Sequence, residues 1–267
     1  MSHLVIASSE ADAAAAAAVE QHHAELAGAL AVSVERVVAA ASHGDADSFT
    51  RAREELVGWC RTDLVPHATA EEQALYPAAR LRDDGRLLVE GMLAEHAVIN
   101  QLVVDLATAS DSVRAASAAT ALRVVFDAHL AKENDLLLPL LVGAPDVSVA
   151  DLIADMRADL QAGKQIRTET DMATDEDAHG GHSCGCGEVD GPGYPELDAR
   201  AVPHAIRHAT IFGALDAVRP GGGLVLVAPH DPLPMLAQLE RRSPGTFAVD
   251  YLQRGPEAWR LRFVRTA

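Results

Sequence analysis

Basic residues are scarce. Only 22 lysines and arginines stand against 39 aspartates and glutamates, leaving a formal charge of −17. Nucleic acid and anionic membrane surfaces both need a basic footprint, so neither is expected as a partner. Long apolar runs are missing too. None reaches the length of a membrane-spanning helix, about 20 residues. The N-terminus has no basic region ahead of its apolar residues. Its alanine run, Ala13 to Ala18, follows Glu10 and Asp12 and reads as helix, not signal peptide. Cysteine is limited to Cys60, Cys184 and Cys186. Three cysteines make no disulfide framework, and a cytoplasmic location is expected. Aromatics are few, but a hydrophobic share of 49% is ample for a core, and 267 residues suit two domains.

What the chain does have is helical periodicity and histidine. Ser8 or Ser9 can cap a first helix that runs to about Ser42, with Gly44 as its stop. Val19, Leu26, Leu30, Val34, Val37 and Val38 form its apolar stripe. His23 falls on that stripe and is preferred to His22, which also fits but otherwise reads as a surface residue or a helper. Asp45 or Asp47 opens a second helix carrying Phe49, Leu56, Trp59, Leu64, His67, Glu71 and Leu75. Pro66 inside it is either a simple kink or a bend that aims His67 inward. Tyr76-Pro77 ends this helix, and Arg80 to Gly85 is the turn. The third helix, about Arg86 to Ala109, presents Leu88, Met92, His96, Ile99, Val103 and Leu106. Asp111 or Ser112 caps a fourth, which carries Leu122, Val125, Phe126, His129, Glu133 and Leu136 or Leu137 and stops near Pro139. A shorter helix, about Ser148 to Leu160, is expected on the outside.

Within this frame, His67-Ala-Thr-Ala-Glu71 and His129-Leu-Ala-Lys-Glu133 share one spacing. Residues four apart lie on one helix face, so each pair can reach one metal centre, or two metals about 3.5–4 Å apart. Two such pairs on alternate helices, with histidines on the other two, are far more specific than one. The depths agree. His23 and His67 lie roughly 21 and 23 residues from the first turn. The His67–Glu71 midpoint and His96 lie about 13 and 14 from the second, and His96 and His129 about 15 and 18 from the third, at about 1.5 Å of rise per residue. All therefore meet in one layer of the core. Burying four imidazoles and two carboxylates without a metal would be costly. Glu72, Glu95 and Asp135 sit beside these residues and read as solvated or supporting. Cys60 reads as a small buried apolar residue, and His3 and His43 as helix fringes.

Residues 10 to 160 resemble the hemerythrin-like, HHE cation-binding family. The resemblance is carried by His23, by His67-Ala-Thr-Ala-Glu71-Glu72 with Leu75-Tyr76-Pro77, by Glu95-His96, and by His129-Leu-Ala-Lys-Glu133. It implies a four-helix bundle around a non-haem di-iron centre, with His23, His67, His96 and His129 as terminal ligands and Glu71 and Glu133 as bridges. The same cage suits manganese or zinc. Oxygen-carrying members have His-x-x-x-His on the third helix, and Met92 stands here at the first of those positions. One imidazole is thus missing, whether for one metal or two, which leaves an open position, a water or a substitute carboxylate in its place. That turns the expectation from reversible oxygen carriage toward sensing, redox or iron-handling roles.

Beyond Gln161 the periodicity stops. Asp171 to Asp177 is acidic, and His179-Gly-Gly-His182-Ser-Cys184-Gly-Cys186 follows. This reads as a flexible linker whose His179, His182, Cys184 and Cys186 form either a soft-metal or redox site or an adventitious one. The remaining residues suggest an α/β domain. Leu197 to Val202 is a strand, Pro203 to Val218 a helix and Leu224 to Ala228 a strand; a helix from Pro232 to about Arg242 and strands Phe247 to Gln253 and Ala258 to Val264 follow. Both helices would lie on one face of the sheet. Leu197-Asp-Ala-Arg200, Arg207-His208 with Ile211-Phe212, Pro229-His230-Asp231-Pro232 and Trp259-Arg-Leu-Arg262 resemble the domain of unknown function 2249. Its fold is similar to the small TusA/SirA-like sulfur carriers. Those place a reactive cysteine where His204 stands here, and a persulfide carrier needs a thiolate, so sulfur transfer is not expected. His204, His208, His230 and Asp231 are candidates for a second small site, although Asp231 equally suits a helix cap.

The expected fold is multi-domain. Residues 1–160 form an N-terminal all-α four-helix up-down bundle and 161–196 a linker. Residues 197–267 form a C-terminal α+β two-layer sandwich of order β-α-β-α-β-β. The expected function is non-haem di-iron binding that senses or handles oxygen, nitric oxide or peroxide, with the C-terminal domain as readout or interaction module. The alternative is iron storage, delivery or iron-centre repair with the linker as transfer arm and an iron-acceptor or redox protein as partner. A peroxidase-type oxidoreductase is a third reading.

Overall fold

The computed structural model describes residues 7, 9–158, 194–203 and 206–266. Ser9 accepts a hydrogen bond from Asp12 N at 3.0 Å and opens α1 (Glu10–His43). Gly44 closes it at φ 71°, a conformation that costs glycine little. Asp45 caps α2 (Ala46–Trp59) by accepting from the Asp47 and Ser48 amides. A π-helical segment (Cys60–Leu64), α3 (Val65–Ala74) and the short α4 (Tyr76–Arg80) continue the second limb. The third limb is α5 (Gly85–Thr108). The fourth is α6 (Ser112–Lys132), capped by Asp111, followed by a second π-helical segment (Glu133–Leu137) and α7 (Leu138–Val142). An outer helix, α8, covers residues 149–158.

Both π-helical segments directly precede an X-Pro pair, Val65-Pro66 and Leu138-Pro139. Proline has no N–H, and its ring crowds the carbonyl one turn back. Widening the turn, with Val65 N donating to Cys60 O and Leu138 N to Glu133 O, lets each limb run through. The fourth helix therefore does not stop near Pro139 but reaches Val142, and Tyr76-Pro77 opens α4 instead of ending the limb.

Two apolar clusters fill the bundle. One holds Leu26, Leu30, Leu56, Leu64, Ile99, Leu122 and Phe126. The other holds Val19, Leu75, Tyr76, Met92, Leu137 and Leu141, with Val149, Ile153 and Met156 of α8. Between them on each limb fall the buried histidines and glutamates. Among the described helices α5 alone is long and apolar enough to cross a bilayer, at a mean hydropathy of 1.4. This qualifies the expectation from run length. Here α5 turns Val89, Met92, His96, Ile99, Val103 and Leu106 into the bundle.

The C-terminal unit runs β1 (Glu196–Asp198), α9 (Arg207–Asp216), β2 (Gly223–Ala228), α10 (Leu233–Arg242), β3 (Phe247–Arg254) and β4 (Trp259–Arg265). Its sheet order is β1-β2-β4-β3, with β1 and β2 parallel and the other pairs antiparallel. Leu197 pairs with Leu226, Leu226 with Leu261 and Leu224 with Phe263. Onto that one face pack Ile211, Phe212 and Leu215 of α9 with Met235 and Leu239 of α10. The two-layer order matches the expected one, but β1 is short. It ends at Asp198, whose carboxylate takes the Arg200 amide at 3.0 Å and turns the chain. The helix expected from Pro203 is described as helical only from Arg207. Pro232 holds the cap position of α10, and Asp231 does not cap it. The outer side of α9 rests on α1, which joins the two units.

Candidate metal centre

Six side chains converge between the two apolar clusters of the bundle. His23 comes from α1, His67 and Glu71 from α3, His96 from α5 and His129 from α6, and Glu133 opens the second π-helical segment. None is more than 3% exposed. His22, the alternative on α1, is exposed. The helical stripes explain the convergence, because each of these residues continues the apolar face of its helix.

The two carboxylates lie between the histidines. Glu71 sets Oε1 3.1 Å from His23 Nε2 and 2.9 Å from His67 Nε2, and Oε2 3.9 Å from His96 Nε2. Glu133 sets Oε2 3.6 Å from His23 Nε2 and Oε1 3.5 Å from His129 Nε2. Each carboxylate thus offers one oxygen to the His23 side and the other to the His96–His129 side. The ligand atoms of Glu71, His96, His129 and Glu133 lie within 4.8 Å of one another, as do those of His23, His67 and Glu71. That is room for metal on both sides, with Glu71 shared.

Further residues hold the rings. His23 Nδ1 lies 2.7 Å from Asn134 Oδ1, His96 Nδ1 2.7 Å from Glu72 Oε1, and His129 Nδ1 3.0 Å from Glu95 Oε2. Lys132 in turn contacts Glu95. An Nδ1–H donated outward leaves Nε2 as the inward donor to a metal. A pattern runs round the bundle: each support is the sequence neighbour of a layer residue on an adjoining limb. Glu72 follows Glu71, Glu95 precedes His96 and Asn134 follows Glu133. By the same pattern His22, preceding His23, sets its ring edge-on to His67 with centroids 5.0 Å apart. The phenol of Tyr76 enters the layer as well, donating to Glu133 Oε1 at 2.8 Å and lying 3.2 Å from His96 Nε2.

The electrostatics suit a cation site. Burial opposes charging His23, but Glu71, Glu133 and the Asn134 hydrogen bond outweigh it and raise its pKa to about 9. Burial would raise Glu71, yet His67 and His23 hold it well below the ordinary carboxylate range. Burial and then the carboxylates of Glu133 and Glu71 push the Tyr76 phenol upward, so it stays a donor. Despite its closeness to Glu71, His67 makes no hydrogen bond through either ring nitrogen, and Glu133 Oε2 also lacks a hydrogen-bond partner. Buried polar atoms left so are costly, and cations in the layer would take up His67 Nε2 on one side and Glu133 Oε2 on the other. Imidazole and carboxylate donors suit iron, manganese or zinc.

Among the described residues only this layer groups three or more metal-ligating side chains. His208, His230 and Asp231 are not brought into such a group. His208 is exposed beside Phe212, His230 is exposed with Nδ1 3.3 Å from Asp231 O, and Asp231 accepts from Tyr251 at 2.7 Å. His204, His179, His182, Cys184 and Cys186 lie outside the described residues. Cys60 is fully buried, and burial pushes its thiol up to about 12. In the sequence Tyr76 marks only a helix end and part of the family motif, and Asn134 gives no signal. Glu72 and Glu95, read as solvated or supporting, do support rings on neighbouring helices.

Residues 196–265 match the family model of an uncharacterized conserved protein (DUF2249). No curated protein and no solved structure matches the chain. Residues 14–176, more than half of the chain, match the hemerythrin HHE cation binding domain, and they contain the whole buried layer of histidines and glutamates. The chain belongs to the hemerythrin HHE cation-binding family.

Proposed function

We propose that the bundle holds a non-haem di-iron centre that senses or handles oxygen, nitric oxide or peroxide, with the C-terminal unit as its readout. One observation carries the reading: Glu71 and Glu133 each offer one oxygen to the His23 side and one to the His96–His129 side. Carboxylates so placed would hold metal on both sides at once. His23 and His67 would hold one iron, and His96 and His129 the other. Iron in such a cage supplies redox chemistry and binding of small ligands.

The chain's own residues define what reaches the layer. Apolar clusters above and below exclude bulk water. Met92, fully buried where oxygen carriers have a histidine, adds packing but no nitrogen donor, which favours an incompletely ligated centre. The Tyr76 hydroxyl, 2.8 Å from Glu133 Oε1, sets a proton donor within the layer. A cytoplasmic setting suits a layer without thiolates or disulfides, and a redox protein is the natural partner.

Metal analysis with an optical spectrum, on protein purified without oxygen and then exposed to air, tests this. Two irons per chain and a new visible absorption on exposure are expected. Zinc, a single metal or none would overturn the di-iron reading.

A further inference from the structure

α1 is buried on two sides. Its inner stripe carries His23, Leu26, Leu30 and Val34 into the bundle, while Ala24, Gly28, Ala31 and Val32 are buried away from it. Val32 belongs to the core of the C-terminal unit. All residues from Ala209 to Leu215 of α9 are buried, because the sheet covers one side of this helix and α1 the other.

The crossing is made backbone to backbone. A Cβ at Gly28 would overlap the carbonyl oxygen of Thr210, and a Cβ at Gly213 would overlap the carbonyl of Glu25. The two glycines thus let the helix backbones come into direct contact. Farther along α1 an ionic contact also joins the units. Glu55 of α2 bonds Arg36 at 2.6 Å and also meets Arg219 of the C-terminal unit.

Gly28 lies five residues beyond His23, about 7.5 Å along the helix axis. No π-helical segment interrupts α1, unlike the limbs that carry His67 and Glu133. α1 thus runs unbroken from His23 to the crossing, a path along which a shift of His23 would pass as a rigid body. At a glycine crossing no flexible side chain can absorb it, since close-packed contacts are bistable and not softly deformable.

We propose that the outer face of α1 is a regulated interface: its partner is this chain's own C-terminal unit, and metal in the His/Glu layer strengthens the docking. This rests on the reading that the layer binds iron. By reciprocity, docking must strengthen metal binding by the same factor. The C-terminal unit then acts by being held or released, and needs no reactive group of its own.

The test uses the full chain, with and without iron(II) under anaerobic conditions. Hydrogen exchange of the α9 amides and iron affinity are read on the same samples. Iron is expected to slow α9 exchange in the unaltered chain. Gly28→Leu and Gly213→Leu are expected to speed α9 exchange and to weaken iron binding by about fivefold or more. Arg219→Ala, which keeps both glycines, should act in the same direction to a smaller degree and guards against misfolding. Equal α9 exchange with and without bound iron would overturn the proposal, as would variants that free α9 yet bind iron with unaltered affinity. Both results leave the di-iron reading standing. An unaltered chain that takes up no iron would overturn both.

Discussion

Tyr76 and Glu133 stand 57 positions apart in sequence, yet the phenol donates to the carboxylate across 2.8 Å. Tyr76 is 2% exposed, so no water can take over that bond. Tyr76→Phe removes the donor and leaves a buried carboxylate oxygen short of a partner. The loss of one buried partner costs about 1–3 kcal/mol. The metal-free variant should be destabilised by that amount in urea denaturation while still binding metal at full stoichiometry. Unchanged stability would mean that Glu133 is satisfied elsewhere.

The layer itself is legible in the sequence because its residues obey helical spacing on apolar stripes. His67 and Glu71, or His129 and Glu133, need only the four-residue repeat to share a face. What supports the layer is not legible in that way. Asn134 directly follows Glu133, and a regular helix would turn it about 100° away. It reaches His23 from within the π-helical segment, whose only sequence signal is Pro139 further on. Tyr76 reads as a terminator because a proline follows it. The second buried side of α1 escapes notice since Ala24, Gly28 and Ala31 add little to a hydrophobic pattern. A glycine inside a helix is a weak signal until its neighbour is known. In the C-terminal unit, alternation marks β3 and β4 well, whereas β1 is cut short by the Asp198 turn that no periodicity announces.

Removing a ligand should reduce metal content and stability together. Metal that binds only the folded state stabilises it by about 2.7 kcal/mol at 100 times the dissociation constant. His67→Ala and His129→Ala should each lower iron per chain and erase that gain in a thermal melt, as a chelator does for the unaltered protein. Full iron loading in both variants would remove these residues from the ligand set.

The supports should tune affinity without altering stoichiometry. Loss of a partner behind a metal-binding histidine typically costs about 10–100-fold in affinity. Glu72→Gln with Glu95→Gln should weaken metal held by His96 and His129, and Asn134→Ala metal held by His23. His22→Ala should act on the same side as Asn134→Ala, through His67. Iron titration by calorimetry would resolve the two sides as separate steps. Identical titrations for Glu72→Gln with Glu95→Gln and for Asn134→Ala would mean that the supports do not act on separate sides.

The metal-free and metal-loaded chains should respond to pH in different ways. His23 has an ordinary pKa of 6.5, raised in the fold to about 9. Its contribution to metal-free stability is therefore complete below 6.5 and is lost as pH rises through 9. Glu71 moves the other way. Its pKa is held well below the ordinary 4.5, so its contribution is present above 4.5 and fades as pH falls toward the depressed value. With His23 in the proposed ligand set, metal would displace the proton on its Nε2, so binding should grow easier over the range in which that proton becomes labile. Thermal melts of chelator-treated protein should thus fall from pH 6.5 to 9, while the interval between loaded and metal-free melting temperatures widens. A metal-free melting temperature that instead climbs across this range would mean that His23 enters the layer neutral. Glu71 would then have no imidazolium beside it on α1, and the layer would carry more negative charge for a cation to offset.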